Sequence, residues 1–347
     1  MTNADAAERT DVTTDSVAPS VATAARTSGG PGRMVMVLQR YGLLLALLLA
    51  VVVFSLLRPS SFATTQNLAS ILTGSAALTL ISLGIMMPLI VQQFDLSVGY
   101  TATIASLLTV GVLSRNDWPV WQAIALGLLV SLVIGVVNGL LVAYAGLNSL
   151  VVTLGVGSAL YGLSLLYSGG QLISANIPPS FKHLGQARPF GVPLAFIYAL
   201  VAGVLIWYFL SYRPTGRRMY AVGGSETAAR LAGIRVPFLV LMTFVMSALL
   251  CGLGGIVQSA RVGSSSADSM TSFLLPAFTA AFLGATAIRP GHYNVWGTFL
   301  AVYLVATGTT GMFMLGAQTY VEPVFNGLIL LVAIAVARMT MRHERKA

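Results

Sequence analysis

Residues 213–237 read RPTGRRMYAVGGSETAARLAGIRVP, the longest polar interruption between two strongly apolar halves of the chain. Five of the nineteen Lys and Arg residues fall inside it: Arg213, Arg217, Arg218, Arg230 and Arg235. Gly223-Gly224-Ser225 predicts a turn ending in a helix N-cap, because a Ser oxygen accepts from the free N–H groups of a first helical turn. Glu226 then sits where negative charge favours the positive end of the helix dipole. Thr227–Ala232 is helix-prone and Gly233 is a natural stop. A helix of about seven residues is roughly 10 Å long, too short to hold itself in water. It must dock. A short docked helix between two apolar halves makes a handle for another protein.

Working outward, the rest of the sequence reads as membrane. Of 347 residues, 56% are hydrophobic and only 8% charged, far from the roughly 25% charged of soluble domains. Apolar runs long enough to cross a bilayer, which needs about 20 residues per helix, are expected at 41–57, 68–91, 98–113, 118–145, 149–167, 194–212, 238–260, 273–288, 295–315 and 320–337. The net charge of +9 therefore speaks to topology and lipid rather than to nucleic acid. Ten spans put both termini on one side. Fourteen Lys and Arg then share a face with the termini and 213–237, against five (Arg58, Arg115, Lys182, Arg188, Arg261) opposite. The positive-inside rule makes the first face cytoplasmic. Residues 1–40 are read as a disordered cytoplasmic tail, 41–337 as the transmembrane domain and 338–347 as a basic cytoplasmic tail. Hydropathy allows an inverted five-plus-five division around 213–237. The echo of Asn138-Gly139-Leu140-Leu141 in Asn326-Gly327-Leu328-Ile329 falls in non-equivalent spans and is read as chance. Gly135 and Gly139 form a GxxxG, and Gly252, Gly254 and Gly255 cluster in the seventh span; close intramolecular packing is the expected use of both.

Several chemistries are missing. The only lysines, Lys182 and Lys346, do not follow glycine, so the chain carries no phosphate-binding loop of the GxxxxGK[ST] type. His183, His292 and His343 are scattered over loops and tail, with no metal-ligand spacing. Cys251 is the single cysteine and lies in an apolar run, where packing is its expected role. No Ser-His-Asp set can be drawn, which argues against a membrane-embedded enzyme. Asp95, Asp117, Asp268 and Glu322 are the acids in or beside the spans. None sits mid-span, as a proton- or sodium-driven carrier would require, so the energy source is expected elsewhere. Asp95, in Gln92-Gln93-Phe94-Asp95-Leu96-Ser97-Val98-Gly99, is read as a cap on the third span that accepts N–H groups near Ser97 and Val98, with a part in substrate passage as the rival role. Asp117 and Glu322 are read as helix starts ahead of Pro119 and Pro323. Asp95, Ser97, Asn138, Thr153 and Asn326 are the candidates for the translocation path or gate.

These residues resemble a known family, the bacterial ABC importer permeases of the ribose, xylose, arabinose and galactose type. Asp95-Leu96-Ser97-Val98-Gly99 is similar to its DLSVG segment, and Val151-Val152-Thr153-Leu154-Gly155 with Tyr161-Gly162-Leu163 to its VTLG…RGL segment. Thr215–Gly224, then Glu226, Ala228–Leu231, Gly233 and Ile234, resembles its central cytoplasmic loop; Phe282–Ala285 and Trp296–Thr298 resemble its late spans. The likeness covers about 68–337. It departs at Gln92-Gln93-Phe94, where the family usually has two glycines, and at 284–294, where it commonly has a Gly-rich stretch.

The resemblance implies a multi-pass permease of the bacterial inner membrane that moves a monosaccharide, pentose or hexose and ribose-like by preference. It implies three partners: an ABC ATPase, a periplasmic or lipid-anchored sugar-binding protein, and a second permease copy or paralogue. No cofactor is expected on this chain, with ATP and Mg on the ATPase. By resemblance, Glu226, Ala229 and Gly233 form the coupling helix, and Arg217, Arg218 and Arg230 face the ATPase. Rival readings keep the architecture but import a polyol or a furanosyl signalling molecule, or dispense with the ATPase as a secondary carrier or channel.

Overall fold

A computed structural model describes residues 33–344; 1–32 and 345–347, which hold most of the expected N-terminal tail, lie outside the described residues. Among these residues the fold is helical, with one isolated antiparallel bridge between Ile173 and Ser265. In chain order the helices are α1 (Arg33–Leu57), α2 (Thr65–Ile90), α3 (Val98–Asn116), α4 (Val120–Ala143), α5 (Ser149–Ser168), α6 (Pro179–Gln186) and α7 (Leu194–Tyr212). They continue with α8 (Pro214–Gly224), α9 (Glu226–Leu231), α10 (Val236–Val262), α11 (Leu274–Gly284), α12 (Val295–Met314) and α13 (Val321–Glu344). Seven of them, α2–α5, α7, α10 and α12, are long and apolar enough to cross a membrane, and shorter apolar helices lie at Tyr41–Leu57, Thr271–Gly284 and Val321–Ala333. Every apolar run expected from the sequence falls on one of these ten.

The bundle is built around α10, which packs on α2, α3 and α4. Glycine makes those approaches close. A Cβ on Gly255 would stand 2.0 Å from the Ala102 carbonyl oxygen, and one on Gly252 would stand 2.0 Å from Ser131 Oγ. Across the α4 seam, Gly135 meets the backbone of Phe244 and Val245, and Gly139 meets Leu241. The GxxxG and the glycine cluster are thus one intramolecular interface, as expected where lipid supplies no hydrophobic force between helices. α5 rests on α3 and α4, α7 on α2 and α12, α1 on α12, and α13 on α11. The outer faces of α1, α4, α5 and α7 expose large apolar side chains such as Leu49, Leu129, Leu166 and Leu205, which suits a hydrocarbon solvent.

Two local readings are corrected. The span expected at 273–288 is a helix of 11 residues, about 16 Å long against roughly 30 Å of hydrocarbon, because the chain breaks after Gly284. Asp117 does not open α4. It closes α3 as a left-handed C-cap with φ 49°, while Pro119 precedes α4 without a side-chain cap; Asp is among the few residues that tolerate this region. The connection between α5 and α7 carries α6, whose Phe181 is fully buried and whose Gly185 abuts the Arg261 backbone.

Candidate functional site

The 213–237 segment folds as two helices where the sequence predicts one. Pro214 stands at the first turn of α8, where its missing N–H costs nothing. Gly223 and Gly224 end α8 and form no turn of their own. Their use is clearance: a Cβ on Gly223 would lie 1.9 Å from the Ile90 carbonyl oxygen, and one on Gly216 would lie 2.5 Å from Leu210 Cα. Ser225 alone is the N-cap of α9, its Oγ accepting from Ala228 N–H at 3.3 Å. Gly233, at φ 75°, ends α9, with Ile234 N–H donating to the Ala229 carbonyl at 3.0 Å. α8 and α9 bury Met219, Val222 and Ala229 in the main apolar cluster. They expose Arg217, Arg218, Glu226 and Arg230, the last two paired at 2.6 Å. Sequence reasoning missed Leu231, which is 86% exposed at the tip of α9. An exposed leucine beside charged groups on a six-residue helix is the signal that could have singled it out.

Behind α8 the chain breaks between α2 and α3, and polar side chains from three helices, α4, α5 and α10, close around the break. Asp95, only 2% exposed, accepts from Ser97 N–H at 3.0 Å and Ser97 Oγ at 2.6 Å through Oδ1. Its Oδ2 accepts from Ser247 Oγ of α10 at 3.0 Å. Asn138 Nδ2 of α4 donates to Ser97 Oγ at 2.8 Å. From α5, Ser149 Oγ accepts from Phe94 N–H at 3.2 Å and Thr153 Oγ1 from Leu96 N–H at 3.0 Å. The backbone donors of Phe94, Leu96 and Ser97 are thus satisfied by side chains, and those of Gln92 and Gln93 by carbonyls at the end of α2, as non-helical backbone in a membrane bundle requires. The expected cap is only half realised. Asp95 takes the Ser97 N–H in an Asx-type turn, whereas Val98 begins α3 behind Ser97, which makes no side-chain cap bond.

A second break, 285–294, separates α11 from α12. Asn294 organises it: its Nδ2 donates to the carbonyls of Gly284, Ala287 and His292 at 3.0–3.1 Å, and its Oδ1 accepts from Gly297 N–H at 2.7 Å. α8 touches both breaks. Gln92 Nε2 donates to the Gly223 carbonyl, and Tyr220 Oη donates to the Tyr293 carbonyl at 2.7 Å. Burial pushes the Tyr220 phenol up to about 12, against a smaller opposing pull from Arg289, so at neutral pH it keeps the proton it donates.

Four of the five path candidates, Asp95, Ser97, Asn138 and Thr153, therefore meet in one buried network. Asn326 does not join them: it lies on α13, where its carbonyl faces Thr279 Oγ1 at 3.4 Å. Glu322 falls in the first turn of α13. Among the described residues no cluster of three His, Cys, Asp or Glu could hold a metal ion.

The geometry so far defines a helical membrane protein with polar links between α2 and α3 and between α11 and α12, and a mid-chain pair of helices of which α8 touches both links. The chain belongs to the family described as branched-chain amino acid transport system / permease component, whose model matches residues 67–334. It is similar to the D-allose transport system permease protein AlsC of Escherichia coli K12, 29% identical over 300 residues, covering 86% of this chain and 92% of that protein. The ribose import permease protein RbsC of Bacillus subtilis is 31% identical over 303 residues, 87% of this chain and 94% of that one. The autoinducer 2 import system permease protein LsrD of Photorhabdus laumondii is 28% identical over 316 residues, 88% and 94% of the two chains. No solved structure matches.

Proposed function

We propose that this chain is the membrane-spanning permease of an ATP-driven importer that moves a monosaccharide, ribose-like by preference, across the bacterial inner membrane. The allose and ribose permeases to which it is similar support the sugar. In this reading ten spans place both termini and α8–α9 in the cytoplasm, two permeases pair around the path, and a sugar-binding protein delivers cargo outside. ATP and Mg are held by a separate ATPase. The observation that carries the coupling role is α9 itself, a helix rooted by Ala229 and Gly233 that presents Leu231, Glu226 and Arg230 to solvent between two membrane helices. Leu231 supplies the apolar anchor of the dock, and Arg217 and Arg218 supply its basic rim. ATP binding changes which side is open only by binding one conformation better than the other.

Co-purification tests the reading. A P-loop ATPase retained by the native chain and lost with Glu226→Ala plus Gly233→Asp, or with Leu231→Asp alone, supports it. A reconstituted chain that carries solute down its gradient with no ATPase retained overturns it in favour of a carrier or channel. A second reading, import of a signalling molecule, is supported by the likeness to the autoinducer 2 permease; uptake of radiolabelled ribose against that molecule by the assembled importer separates the two.

A further inference from the structure

We propose that the cavity between α9, the α2–α3 break and the α4–α5 turn is a second, regulatory site for a small polyhydroxylated ligand of the monosaccharide class. This rests on the importer reading and adds to it a site on the coupling face. The cavity holds about 560 Å³ and is lined by Gln93, Phe94, Asn148, Glu226 and Arg230, among others. That volume is in the range of small-molecule pockets, roughly 300–1,000 Å³.

The lining offers what a sugar ring asks for. Phe94 is half-buried at the wall, a ring on which the apolar C–H face of a furanose or pyranose can stack. Opposite kinds of polar group stand free around it. The Gln93 side-chain amide makes no hydrogen bond within the described residues. Asn148 spends Oδ1 on Leu150 and Val151 N–H, leaving its two Nδ2 donors free. Arg230 uses Nε and Nη2 on Glu226 Oε1, leaving Nη1 and the second carboxylate oxygen free. Planar groups with paired donors and acceptors match vicinal hydroxyls.

The three walls come from different elements. A ligand gripping Gln93 and Asn148 on one side and Glu226 or Arg230 on the other ties α9 to the transmembrane body. Such a ligand favours whichever conformation keeps the walls together. Released cargo accumulating inside the cell would then hold the coupling helix and slow further import.

The test uses the full chain in nanodiscs with D-ribose and D-allose as probes at millimolar concentration. Saturation-transfer NMR is expected to show both sugars binding the native chain, with the signal reduced several-fold by Gln93→Ala plus Asn148→Ala and by Phe94→Leu. Asp268→Ala, in an outer loop, is the control and retains it. Hydrogen exchange over 226–231 slows with sugar in the native chain and not in the double variant. A signal that survives the double variant places the sugar elsewhere and overturns the site. So does the absence of any signal: if the assembled importer still transports the same sugars, the importer reading stands and only this site fails; if it transports neither, the sugar reading falls with it. Unchanged protection of Cys251 from thiol reagents shows that each variant is folded.

Discussion

Removing the Asp95 carboxylate is expected to loosen the α2–α3 break, and the cost can be worked from its three partners. Hydrogen bonds to a charged group are each worth about 1.5–3 kcal/mol, and a buried donor left without an acceptor costs about 1–3 kcal/mol. In Asp95→Ala the Ser97 and Ser247 hydroxyls can rotate; Ser247 can turn back onto a carbonyl of its own helix. The Ser97 N–H cannot turn. One orphaned donor plus the lost contacts gives about 3 kcal/mol. Asp95→Asn keeps the shape, keeps Oδ1 on Ser97, and meets Ser247 Oγ with an N–H that the hydroxyl can accept; about 1 kcal/mol is expected. Ser247→Ala removes one bond of three and belongs with the Asn variant.

Cys251 makes the measurement direct. It is the chain's only cysteine, fully buried on α10 one turn beyond Ser247, so a thiol dye reports opening of the region around Asp95. With every 1.4 kcal/mol worth tenfold, Asp95→Ala should label about a hundredfold faster than the native chain, and Asp95→Asn and Ser247→Ala about fivefold faster. Because Asp95 and Ser247 share a bond, the double variant should cost less than the singles combined. The reasoning is refuted if Asp95→Ala labels no faster than Thr227→Ala, an exposed change on α9, or if the two single costs simply add.

The other expectations rest on clearance and on Tyr220. Gly255→Ala drives a Cβ to 2.0 Å from the Ala102 carbonyl oxygen and should destabilise by about 2–3 kcal/mol through overpacking, whereas Gly74→Ala, with open space around it, should stabilise α2 by up to about 1 kcal/mol; thermal unfolding in detergent reads the opposite signs. Gly223→Ala collides with the Ile90 carbonyl oxygen, so the expected result is loss of ATPase retention along with lowered stability, while Gly224→Ala, unobstructed, retains the partner. Tyr220→Phe leaves the Tyr293 carbonyl without its donor and should cost about 1–2 kcal/mol at neutral pH. Since burial pushes the folded phenol up to about 12, its contribution is complete below the ordinary phenol range and is lost as pH rises towards 12; the advantage of the native over the Phe chain in a stability series should fall across that interval.

Much of the architecture is legible because a bilayer imposes length and composition on every crossing, and seven of the ten expected apolar runs fall on helices that meet both demands. What escapes reading is set by distance along the chain. Asp95 announces itself as an acid in a polar break. Its partners do not: Asn138 lies 41 residues from Ser97, and Ser247 lies 152 residues from Asp95, each a single small polar residue in an apolar run. Asn138 and Asn326 look alike in sequence, each opening an Asn-Gly-Leu run, yet one joins the network and the other sits on α13. The run 273–288 hides its break because Gly284-Ala285-Thr286-Ala287 carries no charge and no proline to mark a stop, whereas the Asn294 bonds to Gly284 and Ala287 show where the chain turns. Gly223-Gly224 misleads for a different reason. The pair reads as a turn, but Gly223 is glycine because a backbone passes within 1.9 Å of where its Cβ would be.

That contact also decides how a push on α9 is distributed in the proposed importer. α9 packs on α8 and α10 and on little else, so a partner docked at Leu231 loads those two helices. α10 is the rigid centre, locked by glycine seams to α2, α3 and α4. α8 packs on α7 and α10, burying Met219 and Val222, and reaches the α2–α3 break through one side-chain bond and one close approach and the α11–α12 break through Tyr220. Helices transmit displacement along their axes, and a break is where the direction can change with few hydrogen bonds to remake. The α2–α3 break is in turn gripped by Asn138, Ser149, Thr153 and Ser247, so displacing it moves α3 against α4, α5 and α10 together. The α11–α12 break is held by the four bonds of Asn294, by Tyr220, and by ring contacts of His292 with Tyr220 and of Tyr293 with Phe282. A force on α8 in the proposed importer therefore reaches α10 through packing, the α2–α3 break through Gln92 and Gly223, and the α11–α12 break through Tyr220.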